Sequence, residues 1–450
     1  MTPTSIGTQS RDNPAGTCSR AGPRRLVFLS VTASYAHSNL AAWRLRAGAE
    51  AAGWLFQEVE ALAAQPPNAV LRRVMALQPD ALAATFYLFN RLSLQAILRR
   101  FKSLRPDCPI LGGGPEFLGD NRPFLERNPE IDAVIRGEGE RGFEDWLRRM
   151  GRPDLQDRIP GLCRLNGNRY VDNGTAETAA VLDAFPSPYP AALAEFRKPF
   201  VLLETARGCS NRCAFCTSGA GGPVRRLSLG RARRDLQFIR DSGVPEVRLV
   251  DRTFNERPSH YRPLLRCLRD EFKTLRVHLE IDPALVTDAL VDELAAAEPG
   301  RFHLEIGIQT LDPAVLQAIG RRGAAARSLA GLCRLCALRN LETHADLIAG
   351  LPRASLAGLF DDLRALVRAG PDIIQIEPLK LLPGTRLAAE RDRWGLVASP
   401  EPPYEILQTG AQTFEELETA SRLSRAVDRF YNPPELHPVA AEAARRLPRF

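Results

Sequence analysis

The sequence predicts an α/β protein made of two consecutive parallel-sheet units. The first is a doubly wound, Rossmann-like sheet and the second a partial (β/α)6 barrel of TIM type. Short apolar runs alternate with helical periodicity over residues 24–150, and the same alternation resumes at Phe200. Residues 151–197 between them carry little regular signal. Strands that alternate with helical stretches are the mark of βαβ units and hence of parallel sheets.

Residues 1–23 are rich in Ser, Thr, Gly and Pro without periodicity and read as a flexible leader, in which Cys18 is an incidental thiol. The first unit, 24–150, has strands expected at 25–31, 55–59, 81–89, 108–114 and 133–137. Ligands on such sheets sit at the carboxyl ends of the strands. Here those ends are 34–38, 87–90, 112–116 and 137–140. Residues 151–197 read as a connector holding a hairpin, 162–171, around Asn166-Gly167-Asn168. The second unit, 198–385, has strands expected at 200–206, 246–251, 276–282, 302–309, 343–350 and 372–382. Its chemistry belongs at the strand C-termini. Residues 386–450 form a helical, Pro-interrupted extension without a motif.

Composition bounds the function. The 450 residues are 44% hydrophobic and 25% charged, a globular balance that excludes wholesale disorder, collagen and coiled coil. No apolar run reaches the ~18 residues of a membrane span, and no signal peptide opens the chain. A soluble, cytoplasmic protein without a membrane partner is therefore expected. The net charge of +7 comes from arginines interleaved with acids, as at 140–149 and 231–241. Such patterning describes solvated faces rather than a nucleic-acid patch. Nine cysteines in this context argue against a disulfide framework.

Three of those cysteines carry chemistry. Cys209, Cys213 and Cys216 follow the first strand of the second unit, 4 and 3 residues apart, and can converge on one soft-metal centre. A closed zinc site needs four ligands, and no neighbouring His or Cys supplies the fourth. A 4Fe-4S cluster is normally held by four cysteines. Three would leave one iron open to bind a small molecule.

The CxxxCxxC spacing after the first strand of a six-unit βα series resembles the radical S-adenosylmethionine (SAM) superfamily. Membership implies a 4Fe-4S cluster on Cys209, Cys213 and Cys216 whose open iron chelates SAM and cleaves it to a 5'-deoxyadenosyl radical. Gly307, Gln309 and Asp312, then Ile319-Gly320-Arg321-Arg322, and Asp346 with Gly350 and Pro352 resemble the subgroup of oxygen-independent coproporphyrinogen oxidase. That resemblance implies SAM contacts from Glu280, Gln309, Arg321 and Asp346. Asp251-Arg252-Thr253-Phe254 stands where the family's usual Gly-Gly-Glu stretch follows the second strand, with Asp251 as an acid in that neighbourhood, and Gly384-Thr385 resembles a sixth-strand turn.

A doubly wound sheet ahead of such a barrel resembles the cobalamin-binding radical SAM class. The implied cobalamin contacts are Ser34, Thr85, Tyr87, Gly112, Gly113, Gly114, Gly137 and Glu138. Glycines there let backbone approach a flat macrocycle. The Asp-x-His-x-x-Gly signature is absent, so a protein imidazole as lower axial ligand is not expected, and His37 lacks that context. The corrin's lower face is expected against 85–90.

The class implies a methyltransferase acting on an unactivated carbon of an unknown small-molecule or peptide substrate, served by a flavodoxin- or ferredoxin-type electron donor. Alternatives are a cobalamin-assisted rearrangement, cyclisation or oxidation, and a non-catalytic Fe–S protein that binds nucleic acid or a partner. Cys333 and Cys336 read as inert helix cysteines, and Cys108, Cys163 and Cys267 as core fillers.

Overall fold

A computed structural model describes residues 22–193, 196–220 and 222–446. The leader's residues 1–21, Cys18 included, lie outside the described residues.

The first sheet holds seven strands: β1 (Arg24–Thr32), β2 (Trp54–Leu62), β3 (Ala81–Thr85), β4 (Ile110–Gly113), β5 (Ala133–Ile135), β6 (Leu162–Asn166) and β7 (Arg169–Asp172). Their order is β2-β1-β3-β4-β5-β6-β7. The first five are parallel, and β6 and β7 add on antiparallel. The hairpin expected inside the connector is thus the sheet's far edge, held there because Leu162 and Cys163 are fully buried beside β5.

The third strand stops at Thr85, earlier than the apolar run 81–89 suggests. The buried side chain of Asn90 accepts from Tyr87 N (2.8 Å) and donates to Val31 O (2.9 Å) and Thr85 O (3.0 Å). It therefore folds 86–90 into a loop at the carboxyl end of the sheet. There Tyr87 and Phe89 stack, with ring centroids 5.4 Å apart and planes 8° from parallel.

The second sheet begins with β8 (Phe200–Leu203). A short antiparallel ribbon, β9 (Ala206–Arg207) with β10 (Arg225–Arg226), brackets the cysteine loop. Then follow β11 (Glu246–Leu249), β12 (Arg276–Ile281), β13 (Phe302–Gln309), β14 (Glu342–Ala349) and β15 (Ile373–Pro378). The order β8-β11-β12-β13-β14-β15 is parallel throughout and does not close, so β8 and β15 are the edge strands. Alternate residues of β12, β13 and β14 are buried against the helices, and the others line a half-buried polar interior.

The extension covers one edge. Its long helix, Phe414–Phe430, lies along β15, and Ser424 Oγ donates to Ile376 O (3.0 Å). Just beyond, Asn432 takes both backbone groups of Ile374, at 2.9 and 3.1 Å, in place of a neighbouring strand. A two-stranded ribbon, β16 (Val397–Ala398) with β17 (Ile406–Gln408), also interrupts the helical extension.

The halves meet through packing and charge. Trp43 lies edge-on to Tyr189 (6.3 Å) and Phe196 (5.5 Å). Lys198 bonds Glu60 (2.9 Å), and Tyr404 donates to Glu116 (2.5 Å). Gly384, at φ 73°, sits flush against Leu118, so a side chain there would collide with the backbone of the first unit. Among the described residues, no helix is long and apolar enough to cross a membrane.

Candidate active site

The carboxyl ends of β8 and β11 to β14 surround a cavity of about 160 Å³. Cys209, Cys213 and Cys216 line it together with Glu280, Gln309, Arg321 and Asp346, so residues from five chain segments converge. Cys213 is the most buried of these three thiols. Burial pushes its pKa up, and Arg321, whose guanidinium donates to Sγ at 3.8 Å, partly offsets that.

The strand ends are shaped for this. A bulge in β13 between Gly307 and Gln309 puts Gln309 at φ 69°. Its amide then folds back over Gly307, where a Cβ would sit 2.7 Å from Gln309 Nε2. Such a left-handed non-glycine residue is strained, and strain of this kind concentrates at functional positions. Arg321 also donates to Gly307 O (2.5 Å).

Carboxylates dominate the rim: Glu280, Asp282, Glu305 and Asp346 against Arg252 and Arg321. Glu280 pairs with Arg252 at 3.3 Å, Glu305 with His278 at 3.0 Å, and Asp346 lies 3.4 Å from His344 Nε2. Burial, with Glu305, Glu280 and Glu377 nearby, pushes Asp346 up to about 8. Burial likewise raises Glu280. Asp251 is fully buried behind the site. It accepts from Thr205 N (2.7 Å), Ala206 N (2.8 Å) and the Thr205 hydroxyl, which anchors the backbone entering the cysteine loop. Burial lifts it to about 7 against those three donors.

A second cavity, of about 700 Å³, lies between the facing carboxyl ends of the two sheets. Thr85, Tyr87, Gly112, Gly113, Gly114, Gly137 and Glu138 line it from the first unit, and Arg207, Gly208, Ser218 and Arg252 from the second. The glycines differ in role. A Cβ on Gly114 would strike Phe86 O at 2.6 Å, whereas one on Gly113 would meet nothing within 4 Å. Gly113 is thus backbone laid open to the cavity. Ser38 Oγ and Arg44 Nε are buried there without a hydrogen-bond partner, so the wall holds polar groups for a ligand to satisfy.

Charge pairs tie this cavity's wall to the cysteine loop. Arg207 bridges Glu138 (3.1 Å), Glu140 (2.8 Å) and Glu204 (2.8 Å). Arg44 also reaches Glu204 (3.3 Å), and Arg225 pairs with Glu138. Burial opposes ionisation of Glu138, but Arg225 and Arg207 outweigh it and hold the carboxyl below the usual range.

Family models match the chain in the same two places. Residues 26–147 match the B12 binding domain and residues 203–374 the radical SAM superfamily. The chain thus carries a region similar to the B12 binding domain followed by a region similar to the radical SAM superfamily. Residues 392–442 match a further family described as a protein of unknown function (DUF4080).

Its relatives include the cobalamin-dependent radical SAM methyltransferase TokK of Streptomyces tokunonensis. The two are 26% identical over 433 residues, which is 89% of this chain and 63% of TokK. The 2-(S-pantetheinyl)-carbapenam-3-carboxylate methyltransferase of Streptantibioticus cattleyicolor is 28% identical over 65% of this chain and 45% of its own length. The chain therefore spans about half to under two thirds of these relatives. Among solved structures, the radical SAM methyltransferase TsrM of Kitasatospora setae superposes with a TM-score of 0.67 at 17% identity, covering 84% of this chain and 78% of TsrM. The cobalamin-dependent radical enzyme OxsB gives 0.67 at 16%, covering 94% and 72%. Both likenesses concern the fold.

Within the two matched regions, the four polar residues singled out in the barrel share one cavity with the three cysteines, and seven of the eight singled out in the first unit share the other. Ser34 is the exception. It is exposed in the turn closed by His37 N–H on Ser34 O, and its hydroxyl lies 2.8 Å from Nδ1 of His37, which does line the cavity. Ser38, four residues on and ahead of the Asn39 helix cap, faces the cavity instead. Sequence reasoning gave no role to Arg252, which lines both cavities, or to Arg44 and Arg207. The position of Arg252 beyond the end of β11 was the available signal. Cys333 is exposed and Cys336 buried on the helix Ala325–Cys336, far in the chain from the cluster loop.

Proposed function

We propose that the chain is a cobalamin-dependent radical SAM methyltransferase acting on an unactivated carbon of a small molecule. One observation carries this reading: the thiol-lined cavity and the glycine-walled cavity are neighbours that share Arg252 as a lining residue. When bound, the cluster and SAM would supply a carbon-centred radical and the corrin a transferable methyl group.

The chain's own residues do the positioning. Cys209, Cys213 and Cys216 would hold a 4Fe-4S cluster by three corners. The acidic surplus of the small cavity suits SAM, which carries a sulfonium and an ammonium against one carboxylate. Glu280 would take the ammonium, Arg321 the carboxylate, Gln309 a polar edge and Asp346 the ribose hydroxyls. Thr85, Tyr87, Gly112 to Gly114, Gly137, Glu138 and Ser38 would line the corrin. The electron would come from a flavodoxin- or ferredoxin-type donor.

Anaerobic reconstitution with iron, sulfide and hydroxocobalamin tests the reading. About four irons and one corrin per chain are expected. With substrate, S-adenosylhomocysteine should accumulate alongside 5'-deoxyadenosine. Formation of 5'-deoxyadenosine alone would instead point to rearrangement or oxidation.

Two further results are expected. Gly113→Val should fold, since a Cβ there meets no atom within 4 Å, yet should weaken cobalamin binding about ten- to hundredfold through overpacking while iron content stays constant. Corrin absorbance after desalting reads it. Second, Asp346 accepts ribose hydroxyls best when ionised. With burial raising the Asp346 pKa to about 8, the SAM affinity of the native chain relative to Asp346→Asn should rise roughly tenfold from pH 7 to pH 9 and flatten above that, because titration of SAM's own ammonium cancels in the ratio. Equilibrium dialysis of both proteins at each pH measures it.

A further inference from the structure

The larger cavity contains one cation whose counter-charge lies elsewhere. Of the guanidinium groups lining it, Arg44 is matched by Glu204, and Arg207 by Glu138, Glu140 and Glu204, all of which line the same cavity. Arg252 differs. Among the described residues its ion-pair partner is Glu280, which lines the smaller cavity and not the larger. The contact is long, 3.3 Å through a single nitrogen, and 53% of the Arg252 side chain is accessible.

This inference rests on the function proposed above. Once an ammonium group occupies Glu280, that carboxylate is shared, and an accessible guanidinium faces the space between the two sites. We propose that Arg252 is the substrate's anchor and that the methyl acceptor carries a carboxylate. A planar fork of donors matches a carboxylate bidentately. A monoanion is favoured over a phosphate dianion because the cavity's other cations are already spent on glutamates. The anchor would hold the acceptor at the shared wall, between the thiol loop and the open glycine backbone.

Binding of hexanoate and its neutral isostere hexanamide to the iron-, cobalamin- and SAM-loaded protein tests this by anaerobic equilibrium dialysis. The native chain should prefer hexanoate about ten- to hundredfold, the worth of a charge-assisted pair. Arg252→Gln should erase that preference. Arg252→Lys, which keeps the charge without the fork, should retain part of it and keeps the test readable if the Gln variant folds poorly. In parallel, SAM and decarboxylated SAM are compared on the protein without added acid. Their affinity ratio should be the same in the native chain and in Arg252→Gln. Equal binding of hexanoate and hexanamide by the native chain would overturn the proposal, as would a preference that survives in Arg252→Gln. Loss of discrimination between SAM and decarboxylated SAM would overturn it too, assigning the guanidinium to SAM itself. Failure of the underlying reading shows separately, as absence of 5'-deoxyadenosine when the native protein is reduced with dithionite.

Discussion

Cys213→Ala is expected to reduce bound iron from about four per chain to fewer than one. Reductive SAM cleavage should fall about a thousandfold or more with it. Cys213 is the least accessible of the three thiols, at 6%, and touches Arg321, so its sulfur is the corner most enclosed by protein. Two remaining thiolates leave a second iron unheld. The measurement is iron and sulfide content with dithionite-driven formation of 5'-deoxyadenosine. Cys333→Ala is the control. That thiol is exposed on a separate helix, and its loss should change neither quantity. Unaltered iron in Cys213→Ala would remove the cluster from this loop altogether.

The second large effect is expected at Arg207. Its guanidinium faces three carboxylates from both halves, with 19% of the side chain accessible. Removing one partner of a buried charge network leaves uncompensated ions and costs about 3–5 kcal/mol. For units of this size that is a fall in Tm of roughly 10 °C by calorimetry. The loss should persist in 0.5 M salt, because a buried network is screened little. A shift under about 2 °C would mean that solvent already serves these charges, as at exposed ion pairs.

Much of this molecule is legible in its sequence because its signals are local. Apolar runs separated by helical periodicity mark the strands, and the cysteine spacing marks one loop. Gln309, Arg321 and Asp346 stand in patterned surroundings that identify strand ends. What is hidden depends on distant partners. The run 81–89 looks like one strand because its apolar character continues, and only the buried bonds of Asn90 to Val31 and Thr85 end it. The 162–171 hairpin shows its turn but not the sheet it joins. Glu140 sits in an alternating charge pattern that reads as a solvated face, yet it meets Arg207 67 positions away. The Arg207 network draws on residues 44, 138, 140, 204 and 225, and no window of sequence contains it. Ser34 and Ser38 are equivalent by type and loop, and only the turn between Ser34 and His37 separates the exposed serine from the one that lines the cavity.

Asn432 gives the extension a duty beyond filling space. By offering an amide to both the N–H and the C=O of Ile374, it occupies the ladder that another polypeptide would otherwise join. An excised barrel ending at Pro383 would present a bare, sticky border prone to self-association. A shortened version that keeps Asn432 is therefore expected to stay monomeric where one ending at Pro383 self-associates.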